Sequence, residues 1–340
     1  MSRRLSIVLK RVAILLAVTL VLGVTYEQIG RMRDRKRLPQ IGRSVDIGGR
    51  TLNIFCSGTG APAVVFEPGG DSPGLGWEPV PTQVANFTQA CWYDRAGIGW
   101  SDPGPYPRTS AAIARDLHAL LHRAGVPAPY VLVGASFGGM NARVYASLFP
   151  DEVAGMVLAD SAHEDEPQRA PKAFLGRTAP RFLWHPMALS LQMASLTGLI
   201  RLTESSAAQG KHPNEMTRDE IITALRRQPK SVANNISTGV VLPESYEEAR
   251  RAGGIGDRPL IVLAAGRPQD FGDPELNRQA AAYQQVWIHE MQAGLARLST
   301  RGREIVVENS NHTNIPLDVV VNTVRDIVAD VRADRPKPVK

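Results

Sequence analysis

The sequence predicts an α/β protein with a mostly parallel sheet flanked by helices, and three observations carry that reading. Short apolar strands alternate with helical stretches along most of the chain, the pattern of parallel strands joined by crossover helices. Strands run straight into glycine-bearing loops: Ala63 to Phe66 into Pro68-Gly69-Gly70-Asp71, and Ala90 to Tyr93 into Asp94-Arg95-Ala96-Gly97. The third observation is Tyr130 to Gly139, Y-V-L-V-G-A-S-F-G-G, an apolar strand that enters a glycine-flanked serine and continues as a helix former to Phe149, with Pro150 just beyond. A G-x-S-x-G turn in that context reads as a nucleophile elbow. Gly134 and Gly138 leave room for backbone that a Cβ would block, and Ser136 is the candidate nucleophile.

The chain's 340 residues, 43% of them hydrophobic, suffice for one large α/β domain with an insertion or for two ordinary domains. The formal charge of +6 belongs to the ends. Residues 1–37 hold nine Lys/Arg against two acids and residues 332–340 hold four against one, so the tails carry +7 and +3 and the body −4. A body of that sign argues against a basic groove for phosphates, and nucleic acid is not expected as a partner.

At the N-terminus, Arg3, Arg4, Lys10 and Arg11 precede Val12 to Tyr26, fifteen residues without a charge. With the apolar run Leu5 to Leu9 in front and Lys10 and Arg11 snorkelling, one helix reaches across a bilayer. A signal peptide has the same basic and apolar regions, but no clean A-x-A cleavage site follows. The expectation is an uncleaved anchor with an exported body; secretion after cleavage is the alternative. Arg31, Arg33, Arg35, Lys36 and Arg37 on the far side leave the orientation open.

Along the body, Arg43 to Ile47 and Thr51 to Cys56 alternate about Gly48-Gly49 as a hairpin. Thr109 to Ala124 has helical spacing in Ile113, Leu117, Leu120 and Leu121, with Thr109 or Ser110 as N-cap and Gly125 as stop. After the elbow, Val153 to Ala159, Pro259 to Ala264 and Glu304 to Val307 are further strands. With these landmarks in order, the chain from about 41 to about 332 resembles the α/β-hydrolase fold family. Besides G-A-S-F-G, the segment Tyr93-Asp94-Arg95-Ala96-Gly97-Ile98-Gly99-Trp100-Ser101 is similar to the loop these hydrolases carry after their fourth strand. Asp94, Gly97 and Gly99 are read there as shaping backbone.

The resemblance implies the serine branch of the family, because epoxide hydrolases and haloalkane dehalogenases carry an aspartate where this chain has Ser136. It also implies a helical cap between Ser161 and Arg258. The expected division is an anchor or signal segment at 1–37, a core at 38–160 and 258–332, a cap at 161–257 and a disordered tail at 333–340. In the cap, Phe174, Phe182, Trp184, Met187, Leu191, Met193 and Leu196 are candidates for an apolar acyl or leaving-group pocket, although ordinary core is the commoner fate of such a stripe.

A serine hydroxyl at neutral pH needs an imidazole to take its proton and a carboxylate to hold that imidazole. Of seven histidines, His118 and His122 precede the elbow, His163, His185 and His212 fall in the cap, and His289 lies in a long helix. Only His312 follows the last strand, in the polar loop Glu308 to Asn314, and the order Ser, acid, His is the family's. Two acids compete. Asp270 follows the Pro259 to Ala264 strand, the commoner family location, one residue beyond the usual G-x-x-D spacing. Asp160 closes V-L-A-D at the end of the sixth strand and is placed ahead of Asp270. For the oxyanion, Phe137 supplies one backbone N–H and Gly70 the other, from a loop reading Glu67-Pro68-Gly69-Gly70 in place of the family's His-Gly.

No cofactor is expected: Gly97-Ile98-Gly99 lacks the third glycine of a dinucleotide fingerprint, and G-G-I-G at 253–256 precedes a strand. In this fold the second strand runs antiparallel beside the fourth, so the resemblance also implies a Cys56–Cys91 disulfide, the two being the only cysteines. The functional expectation is an esterase acting on a small or medium acyl substrate through an acyl-enzyme. Peptidase or amidase action is the alternative within the fold, and a catalytically silent binding module the alternative of another class.

Overall fold

The computed structural model describes residues 3–174, 183–203 and 215–334. A long helix α1 (Arg3–Arg37) leads into the hairpin β1 (Arg43–Asp46) and β2 (Thr51–Ser57), then β3 (Ala63–Glu67), the short α2 (Val80–Val84) and β4 (Ala90–Tyr93). Next come α3 (Ser110–Ala124), β5 (Tyr130–Ala135), α4 (Phe137–Leu148) and β6 (Val153–Ala159). The insertion holds α5 (Glu166–Arg169), α6 (Trp184–Leu196), α7 (Leu199–Thr203), α8 (Arg218–Arg226), α9 (Pro229–Val240) and α10 (Leu242–Ala252). The chain closes with β7 (Leu260–Ala265), α11 (Pro274–Val286), a π-helical turn at Trp287–Gln292, α12 (Ala293–Ala296), β8 (Gly302–Val307) and α13 (Leu317–Ala333).

All eight strands form one sheet in the order β1-β2-β4-β3-β5-β6-β7-β8, in which only β2 runs antiparallel to its neighbours. The inner strands are apolar apart from Glu67 at the end of β3 because both faces are covered: every residue of β3 and β7 is buried. One face packs against α3, α4, α10 and α12 through residues such as Leu120, Met140 and Ala249, the other against α2 and α13 through Val84, Val324 and Ile327. α3 begins and ends as its sequence requires. The Thr109 side chain accepts from the Ala112 N–H, and Gly125 takes φ 71° to stop the helix.

α10, inside the insertion, packs on the core helices rather than over the sheet's edge. Ser245 accepts from the Ser110 N–H at 3.0 Å, and Glu248 accepts from Thr109 Oγ1 at 2.9 Å and the Ala111 N–H at 2.8 Å. The expected apolar stripe of the cap divides. Phe174 faces the cleft described below, whereas Met187, Met193 and Leu196 are exposed on α6. Phe182, His212, the Trp184 side chain and residues 335–340 lie outside the described residues.

α1 stands out from the body over its first twenty residues, with Ile14, Leu15, Leu16 and Leu22 each more than 60% exposed, and from Ile7 onward it is long and apolar enough to cross a membrane. Its second half lies on the cap. The Glu27 carboxylate accepts from Arg201 Nε at 2.9 Å, and Asp34 accepts from Arg201 Nη2 at 2.8 Å.

Cys56 stands directly opposite Cys91 in the β2–β4 register, and the two are joined by a disulfide across a sequence separation of 35. Closing a loop of that size in the unfolded chain gives a chain-entropy stabilisation of up to about 4 kcal/mol. Replacing both cysteines by alanine should therefore lower the unfolding free energy measured by urea denaturation by up to about that amount, and thiol counting on unreduced, denatured protein should find none free. Two free thiols would remove the bridge from the native protein.

Candidate active site

The β5–α4 turn is held by close backbone packing. A Cβ on Gly134 would sit 2.5 Å from the Gly138 carbonyl oxygen, and one on Gly138 would sit 2.4 Å from that of Glu67 at the end of β3. With side chains removed from these two positions, the turn folds tightly enough that Ser136 takes φ 50°, ψ −125°, a conformation L-residues rarely adopt. Its Oγ is thereby lifted above the carboxyl end of the sheet, at the head of α4.

Asp160 follows the neighbouring strand β6, also at positive φ, 44°. Its carboxylate is buried and fully used. Oδ1 accepts from the Ala265 N–H at 2.9 Å and from the Trp287 indole N–H at 2.8 Å, and Oδ2 lies 2.6 Å from His312 Nδ1. The other imidazole nitrogen, Nε2, lies 3.0 Å from Ser136 Oγ. A carboxylate only accepts, so Nδ1 carries the proton toward Asp160, and Nε2 is left to accept from the serine hydroxyl. The hydrogen bond to Asp160 raises the His312 pKa above its ordinary value, burial opposes it, and the Asp160 and Glu166 charges add to the rise. A hydroxyl so placed has a base at hand, and the base has a buried anion behind it.

Asp270, the other candidate acid, has no contact with His312. Its carboxylate accepts from the Gly272 N–H at 2.9 Å and from Asn277 Nδ2 at 2.7 Å, and the Gly272 bond draws its pKa below the usual range. It shapes an exposed loop. After β7 the chain turns off toward α11, where Asp273 caps the helix by accepting from Glu275 and Leu276, so the acids on this loop serve its own backbone.

The loop after β3 passes the serine closely: a Cβ on Gly69 would lie 3.2 Å from that of Ser136. Phe137 is the first residue of α4, so its N–H has no preceding turn to receive it. Arg95 holds the loop. Its guanidinium donates to Glu67 Oε1 at 2.9 Å, to the Gly69 carbonyl at 3.1 Å and, more closely still, to the carbonyls of Pro68 and Gly70. Glu67 also accepts from the Tyr93 hydroxyl and from Asn141. The departure from His-Gly thus marks a buried ion pair under the loop. Asp94 beside it accepts from the backbone of Gly74 and Trp100 and from Asn53, and its pKa is raised by burial.

Two clefts flank His312. One, of about 380 Å³, is lined by Ser136, Glu166, Phe174, Phe271, Tyr283 and Trp287. The other, of about 250 Å³, is lined by Pro68, Gly69, Trp77, Ile315 and Leu317. Glu166 faces the first as a carboxyl whose pKa burial raises. Sequence reading did not single out Arg95, Trp287 or Glu166. Trp287 follows Asp160 by 127 positions, and only the π-helical turn aims its indole at the acid.

His118 and His122, one turn apart on α3, meet Glu152 at 3.1 and 2.7 Å, a group whose atoms are near enough together to hold a metal ion. Glu152 sits at the amino end of β6, the end opposite Asp160, and both histidines hydrogen-bond to it.

Residues 62–189 match the family model described as the α/β-hydrolase fold. Among curated proteins, a probable transporter from Hormonema carpetanum is 33% identical over 135 residues, which is 37% of this chain and 19% of that protein. The chain therefore spans about a fifth of the length of that relative. Among solved structures, an esterase from Thermogutta terrifontis is similar at TM-score 0.53 and 19% identity, covering 86% of this chain and 99% of that one. An enol-lactonase from Burkholderia xenovorans is similar at TM-score 0.52 and 17% identity, covering 84% and 100%. The single mostly parallel sheet, the elbow between β5 and α4 and the family-model match over residues 62–189 agree: the chain has the α/β-hydrolase fold.

Proposed function

We propose that the protein is a serine hydrolase that cleaves small or medium esters through an acyl-enzyme, anchored in a membrane by α1 with its body on the exported side. The line Ser136–His312–Asp160, with hydrogen-bond distances of 3.0 and 2.6 Å, carries the reading. Ser136 Oγ attacks the ester carbonyl carbon as its proton passes to His312 Nε2. The tetrahedral oxyanion takes the N–H groups of Phe137 and Gly70. When the intermediate collapses, the carbon–oxygen bond to the alcohol breaks and Nε2 returns the proton to that oxygen. Water then attacks the acyl carbon, giving its proton to Nε2, and Ser136 leaves with the proton restored, releasing the acid.

The two clefts give the acyl and alcohol portions separate walls on either side of the imidazole; the smaller, lined by Trp77, Val80, Ile315 and Leu317, favours an apolar group, whereas the larger sets Glu166 and Arg267 among its aromatic rings. Similarity to an esterase and a lactonase supports acyl transfer from oxygen. The disulfide supports an exported body, since such bridges persist outside the reducing cytoplasm.

A fluorophosphonate probe tests the enzyme reading: an adduct on Ser136 of the folded protein is expected, and its absence would refute it. Esters of graded acyl length against matching amides should show turnover on the ester side; faster amide turnover would replace the esterase reading by the amidase one. Ser136→Ala and His312→Ala should each lower kcat by on the order of 10³ or more, and the double variant should lose little further.

The pH profile follows from His312. The base must be neutral to accept the serine proton, and its pKa is raised, so kcat/KM should fall on acidification with a midpoint above 6.5. Asp160→Asn removes the anion that raises it, and the residual activity should titrate at lower pH. An unmoved midpoint would assign the titration to another group.

Arg95 acts through the loop. Arg95→Lys keeps a cation opposite Glu67 but cannot also serve the carbonyls of Pro68, Gly69 and Gly70, so kcat should fall on the order of 10² with little change in Tm or KM. Equal losses of stability and activity would reduce its role to folding.

A further inference from the structure

We propose that the α6–α7 corner of the cap is a second membrane contact, seated in the bilayer surface beside α1. This rests on the reading of α1 as a membrane span and extends it to the folded body.

The depth of the corner follows from where α1 touches it. A bilayer core needs about 20 residues of helix. Counted back from Tyr26, the last residue before Glu27, such a window starts at Ile7 and takes in only Lys10 and Arg11; ended at Leu22 it starts at Arg3 and adds Arg3 and Arg4. Windows that start at Leu5, Ser6 or Ile7 all hold only those two charges, so the least charged stretch before Glu27 closes between Val24 and Tyr26 and takes in Gly23. Yet the cap already packs on α1 inside that limit. A Cβ on Gly23 would lie 2.5 Å from the Thr197 carbonyl oxygen, and one on Gly198 would lie 2.8 Å from the Tyr26 ring. If Gly23 to Tyr26 are at the edge of the hydrocarbon, Thr197 and Gly198 are there too. Arg201 clamped to Glu27 and Asp34 keeps the corner from swinging away.

The chemistry of the corner agrees with that depth. Between Leu183 and Thr203 the ionisable side chains are His185 and Arg201. His185 Nδ1 meets the Tyr106 hydroxyl, and Arg201 is held by α1. The outward face is Leu189, Met193, Leu196, Leu199 and Leu202, exposed by 41–70%, while Ala188 on the inward face packs against Val240 and Val241. An uncharged leucine surface of this kind is costly against water and suited to the acyl–headgroup boundary. Farther along α1, Arg33, Arg35 and Lys36 are exposed, beginning about 9 Å beyond Glu27 at 1.5 Å per residue, where they meet headgroup phosphates.

The test uses the full chain in phosphatidylcholine vesicles, some of whose acyl chains carry a nitroxide quencher. An environment-sensitive fluorophore is placed on one introduced cysteine at a time, at Val18, Leu196, Leu199 or Asp326 of α13, the native pair being closed in its disulfide. Loss of emission at Val18, Leu196 and Leu199, with none at Asp326, is the expected result. Loss at Val18 alone would leave the span standing and overturn the docking of the corner. No loss at Val18 would overturn the span, and the docking with it. Blue-shifted emission at Leu196 and Leu199 that lipid-borne quencher does not reach would mean that another protein surface covers the corner, and would equally overturn the proposal.

Discussion

The architecture of the site depends on one steric constraint: the turn between β5 and α4 must pass against the end of β3 with no side chain between them. Gly134 faces the backbone of its own helix, and Gly138 faces the carbonyls of Glu67 and Pro68. A methyl group at either position would push the helix off the strand. Because the packing is that close, Ser136 is forced to positive φ, the first N–H of α4 lies next to it, and the glycine loop after β3 is drawn alongside.

The same closeness explains how the site manages charge. A buried Glu67 under the loop would be costly alone, and Arg95 answers it while its remaining donors hold three successive carbonyls. Across the serine, Asp160 is as buried, but its partners are a backbone N–H, an indole and an imidazole, none of them a fixed cation. Its negative charge is therefore felt by His312, whereas that of Glu67 is spent locally. Two buried carboxylates thus have different consequences because one faces a guanidinium and the other a titratable ring.

Farther out, the body joins α1 by the same devices on a coarser scale. Small residues at Gly23 and Gly198 let α1 and the cap approach, and an arginine between two carboxylates fixes their relation. The result is that an apolar corner of the cap is carried rigidly by the helix that has the length and composition of a membrane span.

Much of this is local in origin and can be read along the chain. The strands announce themselves because their residues are apolar on both faces, α3 because its cap and stop lie next to it, and Ser136 because the glycines that permit its conformation are two positions away on either side. His312 follows from its place after the last strand. The acid does not. Asp160 and Asp270 both sit in loops at the carboxyl ends of strands, and choosing between them requires knowing which way each loop turns. β6 ends with Asp160 under the imidazole, whereas the chain after β7 leaves toward α11. Trp287 and Arg95 are likewise invisible beforehand, since their partners lie 127 and 28 positions off. The exposed leucines of α6 read as core or pocket because composition records that a side chain is apolar and not what it faces. Sequence by itself determined the sheet, the elbow and the places of Ser136 and His312 after their strands, which depend on neighbours in the chain; only the tertiary structure decided the partner of the histidine and the outward face of the cap, because those depend on directions set by packing between distant segments.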